Sequence, residues 1–129
     1  MADRLITSGE IEEKIIEIQS CLKLSTKASV IRLCIGLSLK EIGDPRLNRE
    51  LQLKDNSGSN YHKHTIFGDD EELYYLMVKQ SLSANINRNE FFPEIIKAHI
   101  LRGMEKLFEN YSLLRNPQKI TEWIIRQTN

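Results

Sequence analysis

The segment 25–41 constrains the fold most, because its sequence is that of a helix with almost no polar face. Its apolar side chains point in every direction around the helical period of about 3.6 residues: Val30, Ile31, Leu33, Cys34, Ile35, Leu37 and Leu39. A helix that is apolar all round is buried on all sides. We therefore predict that this helix is central, and that so small a protein covers it by forming an oligomer.

The start of this predicted helix has the chemistry of an anion-binding site. Ser25 or Thr26 can cap the helix, and Lys27 follows at once, so hydroxyls, free backbone N–H groups and a cation converge there. Lys23 adds a second cation just before the turn. An ordinary capped helix start explains the same residues, and both interpretations stay open.

Composition indicates one soluble globular domain, spanning residues 1–129, with 40% hydrophobic and 28% charged residues. The 18 basic and 18 acidic residues give a net charge of zero, which argues against purely electrostatic binding of nucleic acid. No apolar run approaches the roughly 18 residues that cross a bilayer, and the N-terminus lacks the apolar core of a signal peptide. We expect a cytoplasmic protein that does not enter a membrane.

The remaining pattern predicts a mainly α-helical chain. An extended segment, 4–8, leads into a first helix, which Thr7 and Glu10 would cap as a capping box. That helix carries one apolar stripe: Ile11, Ile15, Ile18 and Leu22. A strand followed by two helices is the outline of a ribbon-helix-helix unit, although helical hairpins share it. Further helices are predicted over 69–83, with Leu73 and Leu76 facing inwards, over 95–111, and after Asn116-Pro117.

Residues 46–68 predict a small β-hairpin. Leu51 and Leu53 precede the polar run 55–60, and 61–67 follows as a second strand. His62 and His64 would project from one face of that strand, where two imidazoles could bind a metal ion. Because no third ligand has a suitable spacing, we expect surface histidines and no metal site.

The sequence carries no catalytic motif such as a phosphate-binding glycine loop, a nucleophile elbow or a zinc-protease helix. Cys21 and Cys34 lie in apolar helical surroundings, which favours free buried thiols over a disulfide or a metal site. His99 could act as a general base, but its neighbours Ala98 and Ile100 favour a buried histidine that donates to a backbone carbonyl. We expect no catalytic residues and no cofactor.

Three segments in a fixed order carry a family resemblance. They are Val-Ile-Arg-Leu-Cys-Ile-Gly-Leu-Ser-Leu at 30–39 after an initial helix, Thr-Ile-Phe-Gly-Asp at 65–69, and Lys-Ala-His-Ile-Leu-Arg-Gly at 97–103. Together they resemble the DndE family of the bacterial DNA phosphorothioation system, which replaces a non-bridging phosphate oxygen with sulfur. The resemblance extends from about Ile6 to Leu114 and therefore covers most of the chain.

The resemblance implies a mostly helical protein with a ribbon-helix-helix-like core that forms homo-oligomers, as tetramers, and binds duplex DNA, including at nicks. It implies no catalytic residues, because sulfur transfer and the ATP-dependent steps belong to partner proteins of the system. Such members contact DNA through surface lysines, which in this chain makes candidates of Lys14, Lys23, Lys27, Arg32 and Lys40. Ser25 and Thr26 join them as the hydroxyls of the predicted helix start.

Three functions are compatible with the sequence. The first is a DNA-binding accessory subunit of phosphorothioation, and the second is an oligomeric adaptor in that machinery with little DNA affinity. The third is a ribbon-helix-helix transcription regulator, which the short N-terminal segment disfavours because it has few polar side chains to read base edges. The first of these functions, with contact to the DNA backbone, ranks first.

Overall fold

The computed structural model describes residues 2–127, which form a mainly α-helical fold with one two-stranded antiparallel sheet. The strands are β1 (Arg4–Ile6) and β2 (Asn60–His62). The helices are α1 (Gly9–Leu22), α2 (Lys27–Leu39), α3 (Glu50–Lys54), α4 (Lys63–Phe67), α5 (Glu71–Leu82), α6 (Ile96–Leu114) and α7 (Pro117–Gln127). A further helical segment, Glu90–Ile95, precedes α6 and is interrupted at Phe92, where the backbone is extended. The mainly α class is confirmed. No helix within 2–127 combines the length and hydropathy needed to cross a bilayer.

Helix α2 lies at the centre of the core, as predicted. Val30, Ile31, Cys34 and Ile35 are fully buried, and only Gly36 is exposed along the helix. The helix packs mainly on α6 and also contacts α1, α4 and α5. Because the elements of a single chain cover α2, its apolar character does not by itself require a second copy.

The contact between α2 and α6 is made by backbone as well as side chains. Gly103 of α6 faces the carbonyl of Cys34, and a Cβ atom at Gly103 would lie 1.8 Å from that oxygen. Only glycine allows this approach, because real Cβ atoms do not come so close to a backbone atom. The helix predicted over 95–111 is α6, and Ile96, Ile100 and Met104 on its inner side are buried.

The small sheet exists, but the predicted hairpin over 46–68 is wrong. Strand β1 pairs with β2, with Leu5 opposite Tyr61, so the two strands come from distant parts of the chain. Segments 50–54 and 63–67 are the helices α3 and α4 instead. Leu51 is 84% exposed, so it does not face the core as a residue of the predicted hairpin would. The loop before β2 returns to the N-terminal segment, where Gly58 N–H donates to the Thr7 carbonyl at 2.8 Å.

The cap of α1 differs from the predicted capping box by one residue. Ser8 is the N-cap, and its hydroxyl accepts from the N–H of Ile11 at 3.2 Å. The hydroxyl of Thr7 instead donates to the Glu12 side chain at 2.9 Å. Thr7 therefore belongs to a tertiary hydrogen-bond network rather than to the helix terminus.

Candidate functional site

Residues 23–27, between α1 and α2, are where the sequence predicts an anion site, and we call them the junction. Lys23 follows α1 in a left-handed conformation with φ of 56°, and its side chain is exposed. Ser25 is exposed as well. The hydroxyl of Thr26 accepts a hydrogen bond from the N–H of Ser29 at 3.2 Å and so caps α2. The junction therefore presents one exposed cation and two exposed hydroxyl residues, of which Thr26 is already used as the cap of α2.

Lys27 does not point its charge out of the junction. Its Nζ donates to Oε2 of Glu12 at 2.8 Å and lies 5.5 Å from the centroid of the Tyr61 ring. Glu12 is 7% exposed, and it also accepts hydrogen bonds from the hydroxyls of Tyr61 and Thr7, each at 2.9 Å. This carboxylate therefore ties α1 to α2, to β2 and to the residue that follows β1.

The protonation of this network follows from its contacts. Burial by itself would raise the pKa of Glu12, but the hydrogen bonds from Lys27, Thr7 and Tyr61 outweigh it and hold the pKa below the ordinary 4.5. Burial, followed by the hydrogen bond to Glu12, raises the pKa of the Tyr61 hydroxyl. At neutral pH Glu12 is therefore an anion and Lys27 is its counter-ion.

The other three predicted DNA contacts lie outside the junction. Lys14 donates to Glu10 at 3.1 Å, and its Nζ lies 5.0 Å from the centroid of the Phe108 ring. Arg32 donates to the backbone carbonyl of Ile66 at 3.1 Å. Lys40 is exposed at the C-cap of α2, the end opposite the junction. The structure thus groups Lys23 with residues 25–27 and separates the remaining three cations.

A second group of cations, which the sequence analysis missed, lines a cleft of about 460 Å³ between β1, α3 and the start of α6. We call it the cationic cleft and define it by Arg4, Lys54 and Lys97. Lys97 is 6% exposed, whereas Arg4 and Lys54 are exposed. The signal for it in the sequence is Lys97 itself, a charged residue within the stretch 95–101, where every other residue except His99 is apolar.

His99 belongs to α6, is fully buried and packs against α2. Its Nδ1 lies 2.7 Å from Oγ of Ser38, which also accepts a hydrogen bond from Nε of Arg102 at 2.8 Å. Burial, with the nearby Arg102 cation, lowers the pKa of His99 to about 4. The predicted buried histidine is confirmed, but its partner is a hydroxyl rather than a backbone carbonyl.

The two cysteines are free thiols, as predicted. Cys34 is fully buried, and burial raises its pKa to about 12. Cys21 is half-buried, and its pKa is raised by burial and by the neighbouring carboxylate of Glu17. Because the thiolate is the reactive form, both sites disfavour sulfur chemistry.

His62 and His64 do not share a strand face. His62 ends β2, and its Nδ1 accepts a hydrogen bond from the N–H of His64, in the first turn of α4, at 3.0 Å. Nε2 of His62 lies 3.4 Å from Oδ2 of Asp3. Among residues 2–127, no cluster of three or more histidine, cysteine or acidic side chains could hold a metal ion.

The family of the chain is shown by one comparison with known proteins, and its fold is supported by another. The model of the family "DNA sulphur modification protein DndE" matches residues 4–115, a range that includes both the junction and the cationic cleft. The crystal structure of DndE from Escherichia coli B7A, involved in DNA phosphorothioation modification, has a similar fold with a TM-score of 0.64 at 18% sequence identity. The match covers 83% of this chain and 96% of that chain. No curated protein matches the chain.

Proposed function

Because the chain belongs to the DndE family of DNA sulphur modification proteins, we propose that it is a non-catalytic, DNA-binding accessory subunit of the bacterial DNA phosphorothioation system. The observation that carries this proposal is the family match over residues 4–115. The proposed ligand is the phosphate backbone of duplex DNA, including at nicks, and the proposed partners are the other proteins of that system.

A non-catalytic role is supported by the state of the groups that could do chemistry. The pKa of Cys34 is raised by burial, and the pKa of Cys21 is raised by burial and an adjacent carboxylate, so neither thiol is activated as a sulfur carrier. His99 is 0% exposed, so its ring does not reach a substrate. The proposed role is therefore to bind and position DNA for enzymes that other subunits supply.

Contact with the DNA backbone is supported by cations that the fold leaves exposed. Within the predicted set, Lys23 and Lys40 are exposed at the C-caps of α1 and α2. Lys27, by contrast, is the counter-ion of Glu12. We therefore assign phosphate contacts to the first two lysines and a structural role to Lys27. Few such contacts per chain give weak binding, which repetition in an oligomer would strengthen.

We also propose that the chain forms a homotetramer. The support for it is an exposed apolar face and not the apolar character of α2, which the chain itself covers. Leu73 and Leu76 of α5, predicted to face inwards, are 54% and 58% exposed. Close to them, Leu39 and Met77 line a shallow, mainly apolar groove. An apolar face of this kind on a soluble protein is a candidate contact between copies.

The test of DNA binding compares an intact and a nicked duplex of the same sequence, titrated with the full chain over a series of salt concentrations. We expect the logarithm of the binding constant to fall linearly with the logarithm of the salt concentration. The variant Lys23→Ala should reduce the magnitude of that slope by about one. Lys27→Ala is the matched control: it removes the same charge from the same turn, but it should leave the slope unchanged.

The alternative function, an adaptor with little DNA affinity, predicts a different result. In that case neither duplex would bind at moderate salt, while the protein would still associate with the other phosphorothioation proteins in a pull-down. If Lys27→Ala reduced the salt slope as much as Lys23→Ala does, the structural role assigned to Lys27 would be contradicted.

A further inference from the structure

Lys97 is a buried cation that has no carboxylate within hydrogen-bond distance among residues 2–127. Its Nζ donates to the carbonyls of Leu53 at 2.9 Å and Asp55 at 2.8 Å, and to the side-chain oxygen of Asn56 at 2.9 Å. Three acceptors around one nitrogen use three N–H donors, which only the protonated ammonium has. All three acceptors are neutral. The carboxylate of Asp55 acts on Lys97 from a distance, but it is exposed to solvent, which screens it, and it accepts hydrogen bonds from Ser57 instead. No ion pair therefore cancels the positive charge at Nζ.

This uncancelled charge lies beside a cleft that two further cations line. Arg4, on β1, and Lys54, the last residue of α3, are both exposed, and neither makes an ion pair within the described part of the chain. A buried charge is costly unless an opposite charge accompanies it. The three cations therefore create a site that an anion entering from solvent would stabilise.

The walls of the cleft strengthen this preference. Ile6, Leu53 and Pro93 line it together with the cations, so much of its surface is apolar. Apolar walls lower the local dielectric constant and strengthen the attraction between a bound anion and the cations. A phosphodiester has an anionic centre flanked by the C–H groups of two sugars, so it can contact both the cations and the apolar side chains of such a lining.

Two carboxylates moderate the positive charge. Glu50 and Glu94 also line the cleft, and Glu94 lies 3.9 Å from Nη1 of Arg46. Among the side chains that line the cleft, three cations against two carboxylates leave an excess of one positive charge, which the exposed carboxylate of Asp55, outside the lining, reduces. Removing one of the two lining carboxylates should therefore strengthen the binding of an oxyanion.

We propose that the cationic cleft binds a phosphate oxyanion, which Arg4 and Lys54 contact directly while Lys97 supplies a fixed positive charge beneath it. Taking the backbone of duplex DNA as the source of this phosphate rests on the proposed function. The oxyanion chemistry itself rests only on the side chains of the cleft.

The test uses the full chain with two probes: inorganic phosphate, measured by calorimetry, and an intact duplex, measured by fluorescence anisotropy over a salt series. The cleft variant is Arg4→Ala with Lys54→Ala. The matched control is Lys119→Ala with Arg126→Ala, which removes two exposed cations of α7 and leaves the cleft intact. We expect the cleft variant to lose measurable phosphate binding, to bind the duplex about tenfold more weakly and to have a salt slope smaller by about two.

The outcomes separate this inference from the proposed function. Phosphate binding that needs Arg4 and Lys54, with no duplex binding by the unaltered protein, would support the oxyanion site and overturn the DNA-binding function. Duplex binding that the cleft variant leaves unchanged would overturn the cleft as a DNA contact. Equal losses in the cleft variant and the control would also overturn it, because they would reflect net charge alone.

A third variant tests the sign of the charge argument. Glu50→Gln removes one of the carboxylates that line the cleft, and it should strengthen phosphate binding by about threefold. An unchanged or weaker affinity for inorganic phosphate in this variant would contradict the assignment of the cleft.

Discussion

The ammonium of Lys27 lies 2.8 Å from the carboxylate of Glu12, which is only 7% exposed. This ion pair joins the first turn of α2 to α1, and the hydroxyls of Tyr61 and Thr7 complete the set of donors around the carboxylate. The cation that the sequence offers to an external phosphate is therefore used inside the protein. The exposed charge of the junction is that of Lys23.

The ion pair predicts a stability difference between two lysines of one turn. Lys27→Met should lower the free energy of unfolding by about 1–2 kcal/mol, because Glu12 keeps its hydroxyl donors but loses its counter-ion. The side chain of Lys27 is 37% exposed, which keeps the expected loss below that of a fully buried pair. Lys23→Met should change the free energy of unfolding by no more than about 0.5 kcal/mol. Urea denaturation measures both, and equal losses would contradict the role assigned to the pair.

The lowered pKa of Glu12 predicts acid sensitivity. In the unfolded chain Glu12 takes up a proton near its ordinary pKa of 4.5, whereas in the folded protein it does so only at lower pH. Its contribution to stability is therefore present above pH 4.5 and is lost as the pH falls through the folded-state pKa. The measurement is the free energy of unfolding on both sides of this pH. Glu12→Gln should make the free energy of unfolding depend less on pH below 4.5. An unaltered pH dependence in this variant would assign the acid sensitivity to other groups.

The close approach of α2 and α6 predicts opposite effects for two glycine substitutions. Gly103→Ala should destabilise the protein by several kcal/mol, of the order of 3 kcal/mol or more, because its Cβ would overlap the Cys34 carbonyl. Gly36→Ala, on the exposed side of α2, has no atom within 4 Å of the new Cβ. It should stabilise the protein by about 0.5–1 kcal/mol. Thermal denaturation of the two variants gives the comparison.

The two thiols should differ in reactivity, and neither should be needed for DNA binding. In the native protein, iodoacetamide should modify Cys21 slowly and Cys34 only after denaturant is added, because Cys34 is fully buried with a pKa of about 12. The variant Cys21→Ser with Cys34→Ser should retain its oligomeric state and its duplex affinity. Loss of sulfur transfer in a reconstituted system, with the double variant still folded, would show that this subunit carries sulfur.

The exposed leucines of α5 predict where copies associate. Unaltered protein should give the light-scattering mass of four 15.0 kDa chains. Leu73→Lys with Leu76→Lys should reduce that mass, because two charges would enter the proposed contact. The matched control is Leu47→Lys with Leu51→Lys, which changes two other exposed leucines. Dissociation by the control pair alone would place the contact near α3, and a monomeric unaltered protein would overturn the oligomer.

The sequence by itself determined the features that depend on local periodicity and on helix-terminus chemistry. The apolar pattern of 25–41 gave a central helix, the stripe of α1 gave a buried face, and Asn116 caps α7 by accepting from the N–H of Lys119 at 3.1 Å. The spacing of apolar residues and the cap residues lie within short segments of the chain, so a linear pattern records them even where distant elements complete the packing. The family resemblance rested on the segments 30–39, 65–69 and 97–103, and the family match confirms it.

The tertiary structure decided what depends on residues far apart in the chain. Strand β1 pairs with a segment more than fifty residues away, and this pairing replaced the predicted hairpin. Leu73 and Leu76 face solvent because α5 presents Val78 to the core instead. The same long-range packing directs Lys27 onto Glu12 and brings Arg4, Lys54 and Lys97 to one cleft. The reason is physical: the sequence lists the charges, but only the packing of distant elements decides which of them meet a carboxylate and which face solvent.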